Sequence, residues 1–226
     1  SIDKMKIFRK EHFGGVLYDT DTLRFNLVRT LPDGVTLDRI IETEEAKRKD
    51  IISAPVRVYY ELLRKCNLAC KHCFVSSSPL AEYGKSTEDI KDALDELARA
   101  GVIDVRFTGG EVTVRRDIWK ILRHAKDHLF SISVNTNGVY DDPLSTAKNF
   151  ADLDLEQVTV SIDGLRENHN FIRGEGNFER SVEAMKLMKG TKVKLRINTV
   201  ITKKNYQDIP ELVELAAEYA LEINFF

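Results

Sequence analysis

From residue 56 onward the sequence alternates short runs of β-branched and aromatic residues with longer amphipathic stretches, and this alternation constrains the fold more than any other feature. Strand-like runs fall at residues 56–62, 102–107, 130–135, 157–162, 193–200 and 221–226. Helix-like stretches lie between them at 86–100, 117–126, just after Pro143, and at 178–189 and 207–219. In the first helix Ile90, Ala93, Leu94, Leu97 and Ala98 share one face, Ser86 with Asp89 resembles a capping box, and Gly101 stands where a C-terminal cap belongs. Strands joined by helical crossovers pair in parallel, so the prediction is an α/β fold built on a parallel sheet. Closing an eight-stranded barrel takes more chain than this, whereas six tilted strands curl into a partial (β/α)6 TIM-type barrel. No covering helix follows Phe226, and an exposed parallel edge invites mispairing; the chain is therefore expected to be truncated after its sixth strand.

The N-terminal quarter reads differently. Residues 13–18 and 23–28 flank the polar turn Asp19-Thr20-Asp21-Thr22 and predict a β-hairpin. After a turn at Leu31-Pro32-Asp33-Gly34, the charged segment 38–50 suits a short exposed helix or a linker. The expected organisation is a hairpin and linker over residues 1–50 and a main domain over 51–226. Such a hairpin either captures an extended peptide by strand addition or closes the N-terminal end of the barrel.

Composition narrows the setting. With 42% hydrophobic and 31% charged residues and no apolar run near the ~20 residues a membrane helix needs, the chain reads as a folded protein with no membrane partner. The start SIDKMKIFRK lacks the apolar core of a signal peptide, so a cytoplasmic location is expected. A net charge of −2, with Lys and Arg spread along the chain, argues against nucleic acid as a partner. The only cysteines, Cys66, Cys70 and Cys73, fall within eight residues; three cannot form an even-numbered disulfide framework, and a reducing compartment follows.

In CNLACKHC the spacing is C-x3-C-x2-C, directly after the first predicted strand, at the sheet edge where parallel α/β folds gather their active-site loops. Three thiolates can bind three irons of a 4Fe-4S cluster and leave the fourth iron open to an amine and a carboxylate of a small molecule. The competing reading is a zinc site with a fourth ligand from His72 or elsewhere, although zinc sites usually pair cysteines twice as C-x2-C.

CNLACKHC resembles the signature of the radical S-adenosylmethionine superfamily, with His72 where an aromatic residue near the adenine is usual. Gly109-Gly110-Glu111, ending the second strand, resembles the GGE element of that family. The glycines permit close approach to a ligand, and the Glu111 carboxylate can accept hydrogen bonds from the cofactor's amino group. Thr136-Asn137-Gly138 after the third strand resembles the TNG element, with Asn137 facing the cleft. Val160-Ser161-Ile162-Asp163-Gly164 is similar to the VSIDG element of peptide- and cofactor-maturing members, in which the serine contacts the cofactor; here that is Ser161. HNFIRGEGNFERS resembles the following stretch and sets Arg173 where an arginine pairs with the cofactor carboxylate. On the fifth strand Lys192, Lys194 and Arg196 alternate with apolar residues, forming a face that is either solvated or turned to the cleft, and Asn198 near its end is expected to line the cleft.

The resemblance spans residues 55–226. It implies a radical S-adenosylmethionine enzyme with a 4Fe-4S cluster and S-adenosyl-L-methionine as cofactors, cleaving the latter reductively to a 5'-deoxyadenosyl radical. An external low-potential donor such as a ferredoxin or flavodoxin is implied. The similarity is strongest to the SPASM-like group, in its mycofactocin-type or tungsten-cofactor oxidoreductase maturases, which implies a peptide, protein or cofactor-precursor substrate. Members of that group often carry a C-terminal domain of auxiliary clusters, whereas here no cysteine follows Cys73. A non-catalytic iron-sulfur or zinc module for electron transfer or binding is the alternative.

Overall fold

The computed structural model describes residues 4–49, 51–220 and 222–226. Residues 1–3, 50 and 221, which belong to the predicted N-terminal segment, linker and last strand, lie outside the described residues.

Six parallel strands form the main sheet in strictly sequential order: β5 (Arg57–Glu61), β6 (Asp104–Thr108), β7 (Ser131–Thr136), β8 (Gln157–Ser161), β9 (Leu195–Thr199) and β10 (Glu222–Phe225). Helices α1 (Thr87–Arg99), α2 (Ile118–His128), α3 (Pro143–Asp152), α4 (Arg166–Arg173), α5 (Asn177–Met188) and α6 (Ile209–Tyr219) supply the crossovers. Sequential order with helical returns is the topology of a partial barrel, as the alternation predicts.

The period of two separates two unlike faces. Val105, Phe107, Ile132, Val134, Val158, Val160, Leu195 and Ile197 point outward and are buried with Ile90 and Leu94 of α1, Ile121 and Leu122 of α2, Phe150 of α3 and Met185 of α5. Each fully buried aliphatic or aromatic side chain contributes roughly 1.5–3 kcal/mol of transfer free energy, so this layer supplies most of the fold's stability. The concave face is polar: Asp104, Arg106, Ser131, Ser133, Gln157 and Thr159 are all buried there. Asp104 ties that face together, bonding Arg57, Arg106 (3.3 Å) and the Ser131 hydroxyl (3.0 Å).

The predicted hairpin exists, as β2 (Gly14–Asp19) against β3 (Arg24–Val28), but it is half of a four-stranded sheet. β1 (Lys6–Glu11) pairs antiparallel with β2 and parallel with β4 (Arg39–Ile41). β4 lies in the stretch expected to be helix or linker, of which only Glu44–Lys47 forms a single 3-10 turn. The sequence hid β1 because two of its charged residues, Arg9 and Glu11, face inward. Arg9 is fully buried, donating to Glu11 (2.9 Å), the Gly101 carbonyl (2.7 Å) and the Ala54 carbonyl (2.7 Å).

This sheet sits against the N-terminal ends of the barrel strands. Tyr18 Oη lies 2.8 Å from Ser131 Oγ, and Arg57 donates to the Leu23 carbonyl at 2.7 Å. Lys194 reaches Asp21 in the hairpin turn at 2.7 Å, and Arg196 pairs with Glu222. The basic residues at 194 and 196 are therefore neither free in solvent nor cleft ligands; they bind carboxylates of neighbouring elements. Among the described residues no helix is long and apolar enough to cross a membrane.

Candidate functional site

At the opposite end of the barrel, the C-terminal ends of the strands surround a cavity of about 250 Å³. Its lining includes Cys66, Cys70, His72, Cys73, Gly109, Gly110, Asn137, Ser161, Arg173 and Asn198, so the fold brings together every predicted site residue except Glu111.

The cysteine loop leaves β5 and is shaped by main-chain bonds. Cys66 N–H donates to the Ser78 carbonyl (3.0 Å), Cys73 N–H to the Cys70 carbonyl (3.2 Å), and Lys71 N–H to the Ile172 carbonyl in α4 (3.0 Å). None of the three cysteines is in a disulfide. The sulfurs receive weak donors: Leu68 N–H at 3.4 Å from Cys66 Sγ, Ser77 N–H at 3.3 Å from Cys73 Sγ, and the Arg173 guanidinium 3.9 Å from Cys70 Sγ. Such donors tune the electron density of a thiolate bound to a metal. Burial pushes the Cys66 thiol up to about 11 and the Cys70 thiol upward as well, so each keeps its proton at neutral pH until a cationic ligand displaces it.

Gly109 and Gly110 serve the loop as well as the cavity. Gly110 N–H donates to the Leu63 carbonyl (2.7 Å), and a Cβ at Gly110 would stand 2.0 Å from the Lys65 carbonyl oxygen. Gly109 adopts φ +148°, where a Cβ would meet the Leu63 oxygen at 2.4 Å. No side chain fits between β6 and the loop.

Glu111 stands behind this wall. It is fully buried, and its oxygens accept from Thr113 N–H (3.1 Å), the Thr113 hydroxyl (2.8 Å), the Thr136 hydroxyl (2.9 Å) and Asn137 N–H (2.7 Å). Burial raises its pKa, against the pull of those four donors. In this arrangement it positions the turn carrying Asn137, whose side chain donates to Asn67 Oδ1 at 2.8 Å in the cysteine loop.

The far wall is organised by Asp163, a residue within the VSIDG stretch that sequence reasoning did not single out. Its Oδ2 accepts from His72 Nε2 (2.7 Å) and Arg173 Nε (2.6 Å), and its Oδ1 from Val200 N–H (2.9 Å). Burial would raise this carboxyl, but these partners more than offset it and hold its pKa at about 2. His169, whose Nδ1 accepts the Asp163 N–H at 3.1 Å, is driven down to about 4 by burial and by the nearby Arg173. The only advance signal for Asp163 was an acid directly after an apolar strand.

The wall also carries unpaired polar atoms. His72 Nδ1, Ser77 Oγ and Asn198 Oδ1 are buried without a hydrogen-bond partner, and all three residues line the cavity. Leaving such atoms unpaired costs about 1–3 kcal/mol each, which a polar ligand recovers. Ser161 and Asn198 are register partners on β8 and β9, side by side on the concave face. Three thiols on one wall and unsatisfied polar groups on the others fit a thiolate-held cluster together with a polar small molecule.

These features define a class, and comparison with known proteins gives the family. Residues 60–216 match the radical SAM superfamily, and the chain belongs to it. Mycofactocin maturase MftC of Mycolicibacterium smegmatis is 37% identical over 170 residues, 74% of this chain and 43% of that protein. Fe-coproporphyrin III synthase of Methanosarcina barkeri is 32% identical over 163 residues, 71% of this chain and 41% of that protein. The solved structure of Streptococcus suis SuiB bound to S-adenosylmethionine matches all of this chain and 62% of its own with a TM-score of 0.79 at 21% identity. SuiB bound to its precursor peptide SuiA matches equally, with a TM-score of 0.79 at 20% identity. The chain spans less than half the length of these two curated relatives.

Proposed function

We propose that this chain is the catalytic core of a radical S-adenosylmethionine enzyme that matures a peptide, a protein or a cofactor precursor. The observation that carries the reading is a loop of three free cysteines opening onto a cavity whose other walls hold unpaired polar atoms. The C-x3-C-x2-C spacing supports a cluster over zinc, whose sites usually pair cysteines twice as C-x2-C.

When bound, the cluster and S-adenosylmethionine supply reductive sulfonium cleavage and the hydrogen abstraction that follows. Cys66, Cys70 and Cys73 would hold the cluster. Arg173 offers a guanidinium to a carboxylate, while Ser161, Asn198, Asn137 and His72 offer polar atoms to the amino acid, ribose and adenine parts. Glu111 positions these groups from behind, and Asp163 does so from within the cavity wall. Leu68, Phe74, Val75 and Phe226 make the apolar part of the wall, with Leu68 buried and Phe74 and Phe226 exposed to solvent.

Substrate class rests on the relatives, a maturase at 37% identity and a fold neighbour that binds a precursor peptide. β3 is exposed along most of its length, so an extended peptide can add to the N-terminal sheet there. A cytoplasmic setting with a ferredoxin- or flavodoxin-like donor completes the proposal, since the open iron chemistry needs reducing power. Anaerobic reconstitution with iron and sulfide, reduction with S-adenosylmethionine present, and chromatography for 5'-deoxyadenosine test it, with Cys70→Ala as control. Product that disappears in the variant is expected; a protein that takes up zinc and refuses iron would refute the proposal.

A further inference from the structure

A second cluster of ligating side chains lies on the outer layer of helices. His124 and His128 are one turn apart on α2, and Asp95 faces them from α1. His124 Nε2 is 2.7 Å and His128 Nε2 3.9 Å from the same oxygen, Asp95 Oδ1. The imidazoles stack with centroids 4.2 Å apart and 25° between planes. His128 Nδ1 donates to the His124 backbone carbonyl at 2.8 Å, which fixes the tautomer and leaves Nε2 with its lone pair towards Asp95.

We propose that Asp95, His124 and His128 form a binding site for a divalent transition-metal ion of the zinc class. Donor chemistry selects the ion: two imidazoles and one carboxylate suit zinc, nickel or copper, whereas magnesium and calcium want oxygen alone. Geometry agrees. Ligand atoms about 2.0–2.1 Å from a tetrahedral zinc stand about 3.3 Å from one another, between the two contacts to Asp95 Oδ1. Small side-chain rotations bring all three atoms to that spacing, with no change in either helix. His128 is the last residue of α2, where the helix dipole presents its negative end and favours a cation. The side chains of Asp95 and His128 are 37% and 45% exposed, so water reaches the remaining coordination position. The site uses neither the cysteines nor the cavity, because α2 runs from the C-terminal end of β6 back towards the N-terminal end of the barrel. A bound ion there clips α1 to α2.

The test is a calorimetric titration of anaerobically reconstituted protein with Zn2+, with iron content measured before and after so that zinc entering the cluster site is recognised. One zinc per chain is expected, with a micromolar dissociation constant. His124→Ala, His128→Ala and Asp95→Asn should each weaken binding at least tenfold, while 5'-deoxyadenosine yield stays unchanged. His128 is half exposed, so its variant tests the site without risk to folding. Should zinc displace iron, the same titration of the Cys66→Ala/Cys70→Ala/Cys73→Ala protein isolates the site. No zinc bound below millimolar concentration, or wild-type binding strength retained in all three ligand variants, would overturn the proposal.

Discussion

Replacing Asp163 by Asn keeps the shape of the side chain and removes its charge. The native carboxyl has a pKa of about 2, against about 3.9 in an unfolded chain, a gap of about two units at 1.36 kcal/mol each. Because the folded value is the lower one, the ionised form stabilises the fold above pH ~4, and this contribution is lost as pH falls through ~2. The side chain is fully buried, so solvent screening takes little away. At pH 7 the contribution is about 2.6 kcal/mol, and at pH 3 roughly half of that remains. Asp163→Asn should therefore lower the melting temperature at pH 7 by about 5–10 °C, given about 2–4 °C per kcal/mol in a chain of this size. Urea titrations of the cluster-free protein at pH 7 and pH 3 check this, with wild type and variant compared at each pH. The variant should also bind S-adenosylmethionine more weakly, because His72 and Arg173 lose their common anchor. A variant that unfolds at the wild-type urea midpoint at pH 7, or a gap that does not shrink at pH 3, would refute the account of Asp163 as the ionised hub of this wall.

The remaining predictions concern the same cavity. Gly110→Ala forces a Cβ to within 2.0 Å of the Lys65 carbonyl oxygen, so reconstituted protein should hold well under the wild-type iron and sulfide per chain. Asn198→Leu removes a buried oxygen that has no partner; the ligand-free protein should gain about 1 kcal/mol in urea unfolding, while S-adenosylmethionine affinity measured by calorimetry falls several-fold. His169 titrates near 4 in the fold and near 6.5 when unfolded, so the unfolded chain takes the proton first and stability is lost as pH falls from 6.5 towards 4. About 2 kcal/mol should be gone at pH 5 relative to pH 8, and His169→Asn, which keeps an acceptor for the Asp163 N–H, should flatten that slope.

What could be read in advance follows from where the apolar residues sit. The barrel strands bury one face against helices, so their period of two is visible, and α1 begins with Ser86 Oγ accepting the Asp89 N–H as its capping sequence implies. Convergence of the strand-end motifs follows from parallel topology alone, since each motif ends a strand of the same sheet. Helix α4 was not legible, because its buried face is His169, Asn170 and Ile172 and carries no apolar stripe. β1 was hidden for the same reason, with Arg9 and Glu11 inside. Asp163 draws its meaning from His72, 91 positions earlier, and from Arg173, ten positions later. No local pattern encodes a hub whose partners arrive from two other segments. The orientation of Glu111 was equally closed to sequence, since a GGE turn is compatible with a carboxylate facing either the ligand or the scaffold.

That orientation explains how a loop with almost no secondary structure can hold three sulfurs in place. Between β5 and α1 the chain has one isolated bridge, Lys65 with Ser78, and to its own turn bonds and the Lys71 bond to α4 the neighbouring strand ends add further anchors. The β6 end donates two main-chain bonds to the start of the loop, from Gly110 N–H to Leu63 and from Glu111 N–H to Lys65 (3.1 Å). The β7 end adds a side-chain bond, from Asn137 Nδ2 to Asn67 Oδ1, and the Asn67 side chain in turn donates to the Val139 carbonyl at 2.6 Å. Glu111 couples the two strand ends by accepting the Asn137 N–H. A buried carboxylate is costly, yet here it locks two turns at once, and each turn grips the cysteine loop. The geometry of the three sulfurs is thus inherited from strands fixed by the hydrophobic layer outside the barrel, so that loosening Glu111 would disorder the loop while leaving every cysteine in the chain.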